Sequence, residues 1–495
     1  MYRVGFDNEK YLRLQSENIT KRIEMFGHKL YLEFGGKLFD DYHAARVLPG
    51  FGHDSKVELL KTLADQAEIV ITINAATIES NKVIGDTGIS YDDDVLRLID
   101  AFRQSGLYVG SVVISQYLGQ PAADHFKAYL EQLGMTVYKL NYIADYPTNI
   151  PLTLSDSGFG KNDYVETTRP LVVVTAPGPG SGKMTTCLSQ LYHEHQRGIK
   201  AGYAKFETFP IWDLPLNHLI NLAYESATAD LNDVNMIDPF HLAAYGVSAV
   251  NYNRDVEMFP VLNSIFKTIW GDSPYQSPTD MGVNMVGSCI TDEAVCAEAS
   301  RQEIIRRYFK VQCDFAAGLT DRAPVSKLEL LMNKSETSAF DRATVPAARD
   351  KAALTGSPSA AIELVDGTIL TGKTSELLGA SSAVLMNALK HLAGIDDRMP
   401  IISPVVIEPI QKLKVGFLGN DNPRLHTDEL LIALAICAAT NPVAELVMKQ
   451  LPQLDKAEFH STVILSQVDT NVLRQLGLNV TCDPVYQTQR LFHKR

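Results

Sequence analysis

Residues 171–186 read LVVVTAPGPGSGKMTT. Leu171 to Thr175 is an uncharged β-branched run, the mark of a buried strand. It leads into a glycine-rich turn, Ala176 to Gly182. A helix is predicted from about Lys183 to Arg197, with Gly198 as its stop. Ile199 to Phe206 then predicts a second strand that ends in Glu207. The unit is strand, glycine loop, helix, strand. Its chemistry follows from what a phosphate needs. Glycines let the backbone wrap closely and turn its N–H groups inward. The helix N-terminus adds unpaired amides and the positive end of its dipole. Gly178, Gly180, Ser181, Gly182, Lys183, Thr185 and Thr186 are therefore the expected phosphate-binding set. Lys183 supplies a full charge for the outer phosphates, and Thr185 a hydroxyl for Mg2+. Glu207, at the end of the next strand, is the expected acid for metal or nucleophile.

The loop departs from the P-loop pattern GxxxxGK[ST] at two positions. Pro177 stands where the first glycine belongs, and Met184 where a hydroxyl belongs. Either Thr185 takes over the metal, or metal binds elsewhere, or the loop holds another phosphate group. A second string, Gly367 to Thr374 (GTILTGKT), fits the pattern letter for letter. Its context is worse. Val365-Asp366-Gly367-Thr368 predicts a type I′ hairpin between Ala360–Leu364 and Ile369–Thr371. The middle of the string is then a strand and not a cradle. A weaker role stays open, because Gly372 to Ser375 are expected to open a helix that meets an anion.

Outward from the loop, strands and helices alternate. Helix 8–27, strand 68–74, helix 95–104, strand 108–117, a helix to about Leu133 and strand 136–142 precede it. Asp92, Asp93 and Asp94 read as first-turn acids that complement a helix dipole. Tyr146 to Pro170 is polar and reads as a linker or a long surface loop. After the loop come a charged helix at 292–315, the hairpin, strands at 402–408 and 413–418, a helix near 427–450, strand 460–465, helix 468–476 and strand 477–482. This alternation predicts a multi-domain α/β protein with parallel sheets flanked by helices. At roughly 150 residues per domain, 495 residues suggest about three. The expected boundaries are 1–165, 166–322 and 323–495.

Other polar clusters are candidates. Glu225 to His241 (ESATADLNDVNMIDPFH) holds the densest set of hard-cation ligands: Asp230, Asp233 and Asp238, with Asn232, Asn235 and His241. Asp230 and Asp233 are the expected metal carboxylates beside Thr185, with Asp230 also a candidate catalytic acid. A solvated Asx-rich turn is the alternative. Phe34-Gly35-Gly36-Lys37 follows a strand and is either an anion cradle or a plain turn. His193 and His195 sit two apart on a helix and do not share a face for metal. The six cysteines form no CxxC pair, which predicts reduced thiols. A net charge of −13 argues against nucleic acid and membranes as partners. Met1 to Gly5 lacks the apolar core of a secretory leader, and the apolar run Leu430–Ala439 is about half a membrane span. A cytoplasmic location is expected, and a homo-oligomer is compatible.

The sequence resembles a bacterial family, the one designated domain of unknown function 1846. The strings that carry the resemblance are Tyr42–Phe51 (YHAARVLPGF), Gly106–Pro121 (GLYVGSVVISQYLGQP), Ala176–Glu194, Ala227–Leu242 and Asp366–Ser382 (DGTILTGKTSELLGASS). The resemblance covers nearly the whole chain. It implies a bacterial cytosolic protein and carries no activity with it.

The residues themselves point first to a nucleotide-dependent enzyme, kinase- or ligase-like, using ATP and Mg2+ on a small metabolite. In that reading Lys183 stabilises transferred charge, and Glu207 or Asp230 binds magnesium or takes a proton. The alternatives are a non-catalytic nucleotide sensor or scaffold, and an enzyme for a phosphorylated metabolite without nucleotide.

Overall fold

The computed structural model describes residues 3–39, 41–83, 89–231 and 233–488. They form an α/β protein of two units. Of the described residues, the first holds those within 4–225 and 233–300; the second holds Arg3, residues 226–231 and residues 301–488.

A seven-stranded sheet organises the first unit. Its strands are β1 (Leu30–Phe34), β2 (Ala67–Asn74), β3 (Tyr108–Tyr117), β4 (Thr136–Asn141), β5 (Leu171–Thr175), β6 (Gly202–Phe206) and, after a small antiparallel pair β7 (Asn235–Ile237) and β8 (Val250–Tyr252), β9 (Gly282–Val283). The spatial order is β4-β3-β2-β5-β1-β6-β9. Every neighbouring pair is parallel. Such a sheet is covered on both faces, so its central strands read as continuous apolar runs. Leu171, Val172, Val173 and Val174 are all fully buried.

The boundary expected at residue 165 falls inside this sheet. β5 inserts between β2 and β1, pairing Leu171 with both Ala67 and Leu30. The segment 146–170, read as a linker or a long surface loop, carries the chain from edge strand β4 back to the centre. It is well anchored on the way: Phe159 is fully buried, and the Asn162 amide donates to Ser189 Oγ at 3.0 Å.

Local signals explain the helices. Tyr91–Gln104 starts at Ser90, whose hydroxyl accepts from the Asp93 amide, and Asp92, Asp93 and Asp94 occupy the first turn as expected. Lys183–Gln196 lies over β1 and runs against it. Near its C-terminal end, the fully buried Glu194 accepts from Tyr31 Oη at 2.7 Å and pairs with Lys29 Nζ at 2.5 Å.

The second unit is built on a four-stranded mixed sheet: β10 (Ser359–Glu363), β11 (Ile369–Lys373), β12 (Glu458–Ser461) and β13 (Asn479–Cys482), in the order β11-β10-β12-β13. The hairpin of β10 and β11 is present, but its turn is not type I′. Leu364 and Thr368 close a three-residue loop, and in it Gly367 has φ +88°. Asp366 is not left-handed, so the turn is the three-residue kind with glycine in the left-handed position. The strands expected at 402–408 and 413–418 are instead one helix, Pro404–Gly416. Ser403 caps it and Pro404 takes its first turn. Its buried residues, Ile407 and Lys414, lie seven apart, two helical turns. The helix expected near 427–450 is two, Thr427–Ala438 and Pro442–Met448, broken before Pro442.

This unit has an acid-sensitive tie. Arg349 donates to Asp483 at 2.6 and 3.2 Å. Burial works to raise the Asp483 pKa, but His460 and Arg349 outweigh it and hold it at about 2. The unfolded value is about 4. A depressed carboxylate stabilises the fold above its unfolded pKa and loses that contribution as pH falls through the folded one. Stability is therefore expected to drop by about 2 kcal/mol between roughly pH 4 and pH 2 from this group alone. Acid titrations of wild type and Asp483→Asn followed by circular dichroism check this. Equal slopes for the two proteins below pH 4 would rule it out.

Candidate functional site

The direction of the connections reverses between β2 and β5. Connections after β2 and β3 run to one edge, and the connection after β5 runs to the other. Ligands of open parallel sheets bind outside the carboxyl ends of the strands at such a reversal. The glycine loop leaves the carboxyl end of β5 at this place.

Neighbouring strand ends hold the loop in shape. Thr72 Oγ1 on β2 and Ser115 Oγ on β3 both donate to the Ser181 carbonyl, at 2.9 and 2.8 Å. Asn74 Nδ2 reaches the Gly180 carbonyl at 3.3 Å. Ser181 Oγ closes the turn onto the Gly178 carbonyl at 2.9 Å. With the carbonyls drawn toward the sheet, the loop takes the form of a cradle. Gly182 is the N-cap of the helix, with φ +91°, and Gly180 has φ +76°. The first amides of that helix have no intrahelical acceptor.

The expected hydroxyls have structural duties. Thr186 Oγ1 donates back to the Gly182 carbonyl at 2.9 Å and approaches Thr72. Thr185 is buried, with the Tyr146 phenol against it. Lys183 stands at the first helical position, half-buried. Burial lowers its pKa, Lys205 and Arg254 add to that, and Glu33 opposes it.

Glu33 and Lys205 are residues that the loop pattern gave no reason to choose. β1 lies between β5 and β6, in register Glu33 with Val174 on one side and Lys205 on the other. Strand side chains alternate between faces. Tyr31 and Glu33 therefore share the face that the helix from Lys183 covers, and Tyr203 and Lys205 share it on β6. Tyr203 Oη donates to Glu33 Oε2 at 2.6 Å. Lys205 is ion-paired with Asp255, on the helix Asn253–Trp270. Burial works to lower the Lys205 pKa, and the carboxylates of Asp255, Glu33 and Glu207 outweigh it, keeping the ammonium charged. A charge inside an otherwise apolar strand was the signal available in the sequence, in LYLEF and GYAKF.

Glu207 does sit at the end of β6, buried, with its carboxylate against Gly282 of β9. Burial, and then the Asp255 carboxylate, raise its pKa well above the usual range.

The acid-rich segment does not gather around one point. Asp233 pairs with Arg254 at 2.6 Å. Asp238 caps the helix Pro239–Tyr245 and accepts from Thr279 Oγ1 at 2.7 Å. His241 Nδ1 lies 3.0 Å from Ser277 Oγ. Asn235 donates to the Asn221 carbonyl at 2.8 Å. Asp230 belongs to the second unit, in a short 3-10 turn. Asn232 lies outside the described residues. Among the described residues, no group of three or more His, Cys, Asp or Glu side chains has metal-binding geometry. The Phe34–Lys37 segment is a turn, with Gly36 at φ +70° and Lys56 Nζ close by. Lys56 itself is buried in an ion pair with Asp41 at 2.7 Å.

The second P-loop string is a hairpin strand, as its context predicted. Gly372 packs against Val384, where a Cβ would lie 2.3 Å from its amide nitrogen. The helix expected to open at Gly372–Ser375 begins only at Ala380. The intervening residues form a turn closed by Ser375 and Leu378.

A cavity of about 630 Å³ is lined by Phe26, Ile199 and Trp270 near the amino ends of β1 and β6, opposite the loop. A smaller one of about 190 Å³ is lined by Arg22, Trp212, His241, Asp280 and Asn284, and by Gly282, which touches Glu207. Among the described residues, no helix is long and apolar enough to cross a membrane.

Two family descriptions match the chain. Domain of unknown function DUF1846, N-terminal, covers residues 4–336, and its C-terminal counterpart covers residues 340–492. A UPF0371 protein of Streptococcus equi subsp. equi (strain 4047) is 58% identical over 492 residues, which is 99% of this chain and all of that one. Those of Streptococcus sanguinis (strain SK36) and Streptococcus pyogenes serotype M5 (strain Manfredo) are 58% and 57% identical over 494 residues, the full length of both chains in each case.

Proposed function

The chain belongs to the bacterial DUF1846 family, and we propose that it is a cytoplasmic nucleotide-dependent enzyme, kinase- or ligase-like, that uses ATP with Mg2+ on a small metabolite. The observation that carries this reading is the loop's position. A glycine cradle with a lysine at the first helical position stands at the reversal point of a parallel sheet, where strand carboxyl ends meet. The amides of Gly178 and of Gly180 to Thr185, with the Lys183 ammonium, would take the phosphates. Developing charge on a transferred group would be met by Lys183. Glu207 packs on Gly282 at the wall of the 190 Å³ cavity, whose size suits a small polar substrate rather than a nucleotide. The six thiols, all free, fit a reducing compartment.

One observation favours a second reading, a nucleotide sensor without turnover. Met184 replaces the usual metal hydroxyl, and the Thr186 hydroxyl is spent on the helix backbone.

Calorimetric titration of a nucleotide panel, with and without Mg2+, tests the proposal. ATP is expected to bind wild type. A charge-assisted phosphate contact contributes about 1.5–3 kcal/mol, so Lys183→Ala is expected to bind about 10- to 100-fold more weakly. Binding with no Mg2+-dependent turnover across a metabolite screen selects the sensor. Absence of nucleotide binding by wild type removes both readings.

A further inference from the structure

We propose that Glu33 is the acid that serves the loop: its carboxylate holds the divalent cation of a bound nucleoside triphosphate, beneath the first turn of the helix that opens at Lys183. The inference rests on the nucleotide reading above, and it replaces Glu207 and the 225–241 acids as the cation ligand.

Topology comes first. The connection from β5 to β6 steps over β1, so the strand next to the loop strand on that side is the first strand of the chain. The carboxyl end of β1 thus borders the cradle, while β6 is one strand further away. Glu33 is the next-to-last residue of β1.

Facing comes second. The helix from Lys183 runs against β1, with Glu194 tied to Tyr31 and Lys29 at the strand's amino end. Its amino end therefore lies over the carboxyl end of β1. Lys183 and Cys187, on its first and second turns, are both within the electrostatic reach of Glu33. Tyr203 Oη fixes the carboxylate through Oε2. Glu33 is half-buried, open enough for a ligand to reach.

The rivals are engaged. Asp233 is held by Arg254, and Asp255 by Lys205. Glu207 is buried against Asp255 and Gly282. Even so, Glu207 Oε1 and Asp255 Oδ2 are shielded oxygens without a hydrogen-bond partner among the described residues. These two buried carboxylates near the end of β6 thus carry more acceptor capacity than their donors fill. Magnesium takes one or two carboxylates and completes its shell with water and substrate phosphates, which matches a single protein carboxylate beside a phosphate cradle.

The test is Mn2+ binding to the full chain, read by electron paramagnetic resonance with and without ATP. Variants are Glu33→Gln, Glu207→Gln and Tyr203→Phe; Lys183→Ala reports on nucleotide. Loss of a metal-site group weakens binding by about 10- to 100-fold. Glu33→Gln is expected to weaken Mn2+ by that factor in the ATP complex while leaving metal-free ATP affinity within about twofold. Glu207→Gln is expected to keep Mn2+ affinity, and Tyr203→Phe, which frees the carboxylate that Tyr203 Oη orients, is expected to lose part of it. If Glu33→Gln melts early, Glu33→Asp, which retains the charge, is expected to recover part of the Mn2+ affinity. Equal Mn2+ affinity in wild type and Glu33→Gln overturns the inference, as does a Glu207→Gln loss as large as that of Glu33→Gln. ATP binding that depends on Lys183 but not on Glu33 overturns the inference and leaves the nucleotide reading standing. Mn2+ held through Glu33 without any ATP binding does the reverse. Failure to bind either ends both.

Discussion

Gly182→Ala is expected to disable the loop and destabilise the first unit by about 2–4 kcal/mol, because two independent costs meet at one position. The first is conformational. Gly182 has φ +91°, and a side chain there costs on the order of 1–2 kcal/mol. The second is steric. A Cβ on Gly182 would lie 2.4 Å from Ser115 Oγ and 2.6 Å from Ser115 Cβ. Ser115 is buried on β3 and cannot withdraw, since its hydroxyl anchors the Ser181 carbonyl. Overpacking of this kind costs about 1–3 kcal/mol. Gly180 separates the two terms. Its φ is +76°, but nothing lies within 4 Å of a Cβ there. Gly180→Ala is therefore expected to show the conformational cost alone, about 1 kcal/mol. A Ser115→Gly background is expected to relieve part of the Gly182→Ala loss and none of the Gly180→Ala loss. Urea denaturation of wild type, the two glycine variants, Ser115→Gly and the two double variants, with ATP calorimetry alongside, measures this. Equal losses for the two glycine variants would show that Ser115 does not set the shape of the cradle.

The loop itself was legible because its signals are local. A β-branched run, glycines at the turn, a lysine at the helix start and a stop glycine all fall within residues 171–198. The same holds for Tyr91–Gln104, where a serine cap and three first-turn acids announce the helix. What failed was either ambiguous locally or decided far away. Residues 402–418 are rich in Val, Ile and Leu, which suit a short strand or a buried helix alike. Ser403-Pro404 and the Ile407–Lys414 spacing were the features that decided for a helix. The boundary expected at 165 failed for another reason. Nothing near β5 records that it will pair with β2 and β1, strands some 100 and 140 positions earlier in the chain. The same long-range pairing hid Glu33. A reading that looks downstream of the loop for its acid reaches Glu207 and the 225–241 segment. In a parallel sheet the strand that borders the loop need not follow it, and here it comes first.

In the second unit, Arg342→Leu is expected to cost about 3–5 kcal/mol, since it removes one partner of a buried ion pair and leaves the other uncompensated. The Arg342 side chain is 1% exposed. Its Nη1 donates to Glu458 Oε2, its Nε to Thr481 Oγ1 at 3.1 Å, and its Nη2 to the carbonyls of Phe459 at 3.1 Å and Asn479 at 2.7 Å. One guanidinium thus ties the parallel strands β12 and β13 at four points. Burial works to raise the Glu458 pKa, and Arg342 with Arg306 outweighs it, so the carboxylate is held charged. Arg306 would remain after the substitution, at 3.0 Å from Glu458 Oε1, and limits the loss. Arg342→Lys keeps the charge but not the planar fork, and is expected to recover less than half of the stability. The double variant Arg342→Leu, Glu458→Leu distinguishes the cost of an orphaned carboxylate from the worth of the pair. If the orphan dominates, the double variant is more stable than Arg342→Leu alone, because both buried charges are gone together. If the carbonyl bonds to Phe459 and Asn479 dominate, the second substitution brings nothing back. Chemical denaturation of the four proteins decides between them, and a loss below about 1 kcal/mol for Arg342→Leu would show that this arginine is not what fastens β13 to the sheet.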